Sequence, residues 1–318
     1  MLDHILVPLD GSSLAECVLP HTVALAQAFD AQVTLLQVLG RPQSADHTQS
    51  IDPLDWHIRK AEAGSYLDQV VARLQNAGLR AKKAIVEGRA AERIMEFARN
   101  QNASLIILSS HGRSGLSGWN VSSVVQKIVL RACMPTMIVR AYQSVAGDLT
   151  GLRYRRMLVP LDCSPRAECV LPLTTTLARF HKSQLWLAHV VRQPEMVRRA
   201  LPTQEEIQLV NQLTEHNRLE ASRYLGQLES QLSSDVHLRL PVDGNAAAAL
   251  HRLVEQETID LVVLSAHGHS GGTKWPYGSV TLNFIAYGAT PLLIVQDLSQ
   301  DELESTQAEM AAREYKGH

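Results

Sequence analysis

Ser265, Gly268, Gly278 and Ser279 are spaced so that a glycine-rich segment leaves one short apolar run and enters an amphipathic one. Glycine lets a backbone approach a ligand closely. A helix that starts at such a loop aims N–H groups and a positive dipole end at an anion. The Ser279 hydroxyl can donate to the same anion or cap the helix. The chemistry this suggests is phosphate binding, although turns also use glycine for their own geometry. A second polar set stands at the end of an earlier run: Asp10 before Gly11-Ser12-Ser13, and Asp162 before Cys163-Ser164-Pro165. An acid there can accept hydrogen bonds from ligand hydroxyls or amines. It can equally interact with the N–H groups of the helix that follows. Both readings stand. No Gly-Lys-Ser/Thr and no G-x-G-x-x-G follows the first run, so the Walker A and Rossmann fingerprints are absent.

These residues come in pairs because the chain repeats itself. Ile5-Leu6-Val7-Pro8-Leu9-Asp10 returns as Met157-Leu158-Val159-Pro160-Leu161-Asp162, and Leu108-Ser109-Ser110-His111-Gly112 as Leu264-Ser265-Ala266-His267-Gly268. Ala15-Glu16-Cys17-Val18-Leu19-Pro20 and Pro135-Thr136-Met137-Ile138-Val139 also recur. A period this long means domain duplication rather than a solenoid. Short apolar runs at 4–9, 32–39, 82–87, 104–109 and 135–140 suit parallel strands covered on both faces. The second copy repeats them near 156–161, 185–191, 236–242, 260–265 and 291–296. Helical spacing over 14–29, 55–77, 90–99 and 122–132 separates the runs of the first copy. Five βα units per copy predict an α/β fold of two tandem doubly wound domains, each a five-stranded parallel sheet. The expected division is domains at 1–142 and 154–297, a linker at 143–153, and a tail at 298–318 that reads as a frayed or docked helix. Residues 41–53 read as a polar loop.

Composition sets the broad class. The 318 residues carry 30 basic and 32 acidic side chains, a net charge of -2, which leaves no electrostatic footprint for nucleic acid. With 45% apolar residues the chain is not a disordered one. No apolar run approaches a membrane span, and Met1-Leu2-Asp3-His4 does not open a signal peptide. Cys17, Cys133, Cys163 and Cys169 form no C-x-x-C pair. They read as reduced thiols, small buried hydrophobes of a cytoplasmic protein.

The V-P-L-D of the first run, the S-x-H-G of the fourth and the P-x-x-x-V of the last are specific together. On them the chain resembles a tandem universal stress protein, two UspA-type domains covering all but the linker and tail. Nucleotide-binding members of that family carry G-x2-G-x9-G-S/T after the fourth strand. The second copy matches as Ser265-x2-Gly268-x9-Gly278-Ser279, departing at the first position. The first copy matches as Ser109-x2-Gly112-x9-Ser122-Ser123, departing at the first and third. The resemblance implies strand order 3-2-1-4-5 in each copy, helices on both faces, and ATP, with Mg²⁺ alongside, in the crevice between strands one and four. By position, Asp162, Val190 and Val191 would face adenine and ribose, and Gly268, Gly278, Ser279 and Val280 would hold the phosphates. The matching positions of the first copy are Asp10, Val38, Gly112, Ser122, Ser123 and Val124. Family members pair through their last strands. That would set 135–140 against 291–296 as an intramolecular pseudo-dimer, and a further homodimer is compatible with it.

Ser122 in place of the third glycine is the departure that matters. If the position needs positive φ or close phosphate approach, serine obstructs it. If it is an ordinary N-cap, serine serves as well as glycine. The second copy is therefore the expected ATP site. His111, His267 and His269 cluster near the loops, but no metal-ligand motif surrounds them, and hydrogen bonding to loop backbone is the expectation. Trp119 and Trp275 are expected to pack over the loop. Near the phosphates only His267, His269 and Lys274, or His111 and Arg113, could assist hydrolysis, and none is placed to act as a base. No catalytic residue is assigned. The expected function is an ATP-binding, nucleotide-responsive stress module with a protein partner left unnamed. Its rivals are a slow ATPase or a protein that phosphorylates itself at Ser279 or Ser123, a nucleotide-free scaffold, and a binder of another small molecule.

Overall fold

The computed structural model describes residues 2–40, 53–112, 121–141, 148–194, 203–232, 235–269 and 277–297. The chain divides into two compact units, Met1–Arg153 and Tyr154–His318. The loop 41–52 and the tail 298–318 lie outside the described residues, as do Arg113, Trp119, Lys274, Trp275 and Pro276.

The first unit runs β1 (His4–Pro8), α1 (Val18–Phe29), β2 (Gln32–Leu39), α2 (Pro53–Asn76), β3 (Ala81–Glu87), α3 (Ala90–Asn100), β4 (Leu105–Ser109), α4 (Ser123–Val129) and β5 (Thr136–Val139). Its strands lie in the order β3-β2-β1-β4-β5, every pair parallel. β1 aligns His4 with Gln32 on one side and Ile5 with Leu105 on the other. Ile5, Leu6 and Val7 have no exposed surface, as their near-continuous apolar run requires.

The second unit repeats the plan with β6 (Arg156–Pro160), α5 (Leu171–His181), β7 (Gln184–Ala188), α6 (Gln204–Gln231), β8 (Asp235–Arg239), α7 (Ala246–Gln256), β9 (Leu261–Ser265), α8 (Ser279–Tyr287) and β10 (Leu292–Val295). Its order, β8-β7-β6-β9-β10, is the same one, and its pairs are also parallel. The fold class expected from the sequence holds in both units.

Element boundaries differ where proline or a cap intervenes. The helix expected over 14–29 is a 3-10 turn, Ala15–Cys17, followed by α1 from Val18. Pro20 is the third residue of α1, and proline, lacking an N–H, is tolerated only in a first turn. Pro172 fixes the start of α5 in the same way, behind the 3-10 turn Ala167–Val170. The helix expected over 122–132 stops at Val129, because Arg131 and Ala132 turn back on the Ile128 and Val129 carbonyls. In the second unit β7 and β8 end early, at Ala188 and Arg239. Pro241 cannot donate to the ladder, and pairing resumes as a single bridge between Val191 and Val242.

Candidate functional site

In each unit the strand order reverses at the first and fourth strands, β1 and β4 or β6 and β9. The carboxyl ends of such strands open into the crevice where doubly wound folds bind ligands. A cleft of about 720 Å³ lies there in the first unit and one of about 400 Å³ in the second. Asp10, Val38, Gly112, Ser122, Ser123 and Val124 all line the first. Asp162, Val190, Val191, Gly268, Gly278, Ser279 and Val280 all line the second.

The two aspartates fasten one loop to another. Asp10 Oδ1 accepts the Ser12 N–H at 2.9 Å and the Ser12 hydroxyl at 2.6 Å, and Ser12 Oγ accepts the Ala15 N–H at 3.2 Å. Asp162 does the same with Ser164 at 3.1 and 2.6 Å, and Ser164 Oγ accepts the Ala167 N–H at 3.3 Å. The helix-start reading thus accounts for one oxygen of each carboxylate, with a serine as relay. The other oxygen, Oδ2, lies against the loop that follows the fourth strand. A Cβ placed on Gly112 would overlap Asp10 Oδ2, and one on Gly268 would overlap Asp162 Oδ2. Asp162 Oδ2 also accepts the His269 N–H. The motif's second glycine is therefore set by a carboxylate of the same chain pressed against its Cα.

The third glycine obeys a different rule. Gly278 is the N-cap of α8 with φ -69° and ψ 162°, and Ser122 is the N-cap of α4 with φ -68° and ψ 159°. Neither needs left-handed backbone, so that objection to Ser122 falls. A Cβ at Gly278 would meet nothing closer than the Ala266 carbonyl at 3.6 Å, an ordinary contact. What differs is the cap. Ser122 Oγ accepts the Val125 N–H at 3.3 Å, whereas no side chain caps α8. At the first motif position, Ser109 and Ser265 each donate a hydroxyl hydrogen bond to the carbonyl two residues on, at 2.5 and 2.6 Å.

Among the described residues the buried His111 and His267 each have a side-chain partner at Nδ1. In the first unit Ser110 Oγ lies 3.1 Å from His111 Nδ1 and accepts the Ala141 N–H at 3.0 Å. The second unit has Ala266 and Asp297 at these two places. There Asp297 Oδ1 accepts the His267 N–H at 3.0 Å and contacts its Nδ1 at 2.8 Å, while Asp297 Oδ2 pairs with Arg166 at 3.2 Å. The exchange moves the polar group from one strand end to its neighbour and keeps the imidazole satisfied. Among the described residues no group of three His, Cys, Asp or Glu side chains could hold a metal ion, and no helix is long and apolar enough to cross a membrane.

Several cleft residues escaped the sequence reading. Ala90 and Ile94 of α3 line the first cleft, and Ala246 and Leu250 of α7 line the second. The signal was their i, i+4 spacing on an apolar helix face. His189, Arg192 and Asn217 add polar groups to the second cleft. Asp297 was legible only as an acid just past the last apolar run.

The cysteines need a correction: only Cys17 is buried, and Cys163 is exposed. Cys163 has φ +65° at the place where the first unit has Gly11, φ +81°. Desolvation and then the Asp162 carboxylate push its thiol up to about 11. Left-handed backbone costs a side-chain-bearing residue about 1–2 kcal/mol, partly offset by the unfolded-state entropy of glycine. Cys163→Gly is expected to stabilise the chain by up to about 1 kcal/mol in urea denaturation. A loss of that size would show that the 3.5 Å contact of Cys163 Sγ with His189 Nδ1 outweighs the strain.

Comparison with known proteins follows the same division. A model described as the universal stress protein family matches residues 1–140 and 153–296. A universal stress protein of Methanocaldococcus jannaschii is 27% identical over 137 residues, covering 43% of this chain and 81% of its own length. The universal stress protein YxiE of Bacillus subtilis is 28% identical over 151 residues, covering 44% of this chain and 100% of its own. The crystal structure of a universal stress protein from Archaeoglobus fulgidus superposes with a TM-score of 0.66, at 16% identity, over 94% of this chain and 100% of that one. That last likeness shows the fold.

Proposed function

Because the chain belongs to the universal stress protein family, we propose that it is an ATP-binding module of the stress response, responsive to nucleotide and working chiefly through its second cleft. The observation that carries the reading is the bare N-terminus of α8. With glycine as N-cap, α8 has no side-chain cap hydrogen bond, and its first residues Ser279 and Val280 line the same cleft as Gly268 and Asp162. First-turn N–H groups and the helix dipole suit the phosphates of ATP, with Mg²⁺ neutralising part of their charge. In the first unit Ser122 spends one of these N–H groups on its own hydroxyl, and α4 has only 7 residues. That favours the second cleft although the first is larger. Val190 and Val191 offer the apolar surface that an adenine ring needs.

The test is ATP stoichiometry by equilibrium dialysis with Mg²⁺ on nucleotide-stripped protein. One ATP per chain is expected, abolished by Gly278→Glu. The caps supply a reciprocal test. Gly278→Ser keeps the fold, since the backbone already suits serine, but sequesters an N–H and weakens ATP binding about tenfold. Ser122→Gly leaves stability within a few tenths of a kcal/mol and strengthens binding at the first cleft. Two equal sites would overturn the preference for the second cleft. No binding at millimolar ATP would overturn the nucleotide reading.

A further inference from the structure

The two clefts differ at the end of the second strand of each unit. In the first unit β2 contributes Leu36 and Val38 to the cleft, and Gly40 follows at its end. In the second unit the place of Gly40 is taken by Arg192, which lines the cleft together with Asn217 of α6 and His189. Among the described residues Arg192 has neither hydrogen bond nor ion pair. The backbone of the preceding residue is held. The Val191 N–H donates to the Pro241 carbonyl at 2.9 Å, and the Asp243 N–H donates to the Val191 carbonyl at 3.1 Å. His189 Nδ1 lies 2.9 Å from the Leu161 carbonyl, an acceptor, so the ring donates there.

The topology sets the span. β7 and β9 flank β6, and strands in a sheet stand about 4.8 Å apart, so the chain end carrying Arg192 is about 10 Å across the cleft from that of β9. The first turn of α8 is tied to the end of β9, because the Gly278 N–H donates to the Ala266 carbonyl at 2.8 Å. An N-terminal dipole at one side and a guanidinium at the other suit a ligand with an anionic group at each end. Arginine binds phosphate through paired N–H donors, and dinucleotide-binding Rossmann folds use an arginine beside the ribose to accommodate a 2′-phosphate.

We propose that the second cleft selects an adenine nucleotide phosphorylated on the ribose as well as at the 5′ position. The 5′-phosphate lies on the α8 N-terminus and the ribose phosphate on Arg192. The proposal rests on the nucleotide reading above and adds to it the class of nucleotide and the residue that chooses it. The first cleft, with glycine at the equivalent place, has no such preference.

The test is isothermal titration of the full chain, stripped of nucleotide, with AMP, adenosine 2′,5′-bisphosphate and adenosine 3′,5′-bisphosphate at one ionic strength. One of the two bisphosphates is expected to bind about tenfold or more tightly than AMP. Arg192→Ala removes that gain and leaves AMP affinity within about twofold. Arg192→Lys keeps part of it, because lysine retains the charge without the fork. Arg192 is exposed, so neither variant is expected to disturb folding, which unchanged thermal melts would verify. If AMP binds and neither bisphosphate binds better, or if the gain survives in Arg192→Ala, this inference falls and the nucleotide reading stands. If AMP, ATP and both bisphosphates all fail to bind, both fall together.

Discussion

Asp297→Ala is expected to cost the second unit about 3–5 kcal/mol, the usual penalty for removing one partner of a buried charged network. Asp297 and His267 each have side chains 1% exposed, so no water can replace the lost carboxylate. The deletion strands the His267 N–H and Nδ1 together, both of which now contact Asp297 Oδ1. Arg166 loses this ion pair too, but at 32% exposure it can hydrate. Urea denaturation of the full chain should show a transition displaced to lower denaturant. A change below about 1 kcal/mol would show that His267 needs no acceptor there. The first unit supplies the remedy. Adding Ala266→Ser to Asp297→Ala rebuilds the arrangement of Ser110, His111 and Ala141. It should recover about 1–2 kcal/mol, the worth of restoring a buried hydrogen bond. Strict additivity of the two substitutions would refute the equivalence of the two solutions.

The second large effect is at Gly268. A methyl group there overlaps Asp162 Oδ2, and the carboxylate cannot simply swing away, because Ser164 holds Oδ1 and the His269 N–H holds Oδ2. Gly268→Ala should destabilise by about 1–3 kcal/mol, as overpacking does, and displace the loop so that ATP binding weakens at least tenfold. The diagnostic is coupling. Asp162→Ala is itself destabilising, because Ser164 loses its anchor, yet in that background Gly268→Ala should become nearly neutral. Denaturation midpoints for the two single variants and the double variant close the cycle. If Gly268→Ala costs the same with and without Asp162, the glycine is required for some other reason. The same pairing should hold for Asp10 and Gly112, whose contact is the same.

These predictions turn on contacts that differ in how visible they were in sequence. Asp10, Asp162, Gly112 and Gly268 stood out through spacing and recurrence, so their membership of the clefts could be expected. Why the glycines are glycines could not. The reason is a carboxylate more than a hundred residues away, and nothing near Gly268 announces it. Ser122 looked like a damaging departure because a loop motif does not state its own φ. The backbone at Ser122 and Gly278 is nearly identical, and the distinction lies in which group takes the first-turn N–H. The histidines were expected near the loops, but the partner of His267 at the end of the last strand could not be foreseen. Asp297 comes near His267 only when β10 pairs with β9.

The duplication, the parallel α/β architecture and the positions of the phosphate-type loops were carried by local pattern alone. Apolar runs of strand length, helical spacing between them and proline or glycine at their ends each bias the backbone within a few residues. Tertiary structure decided what those loops meet: Asp297 beneath His267, the Asp–Gly contacts, the bare cap of α8 and Arg192 in the second cleft. Each of these joins elements far apart in the chain. A sheet of order 3-2-1-4-5 gathers its carboxyl ends from every part of its unit, so the chemistry assembled there has no local signature to read.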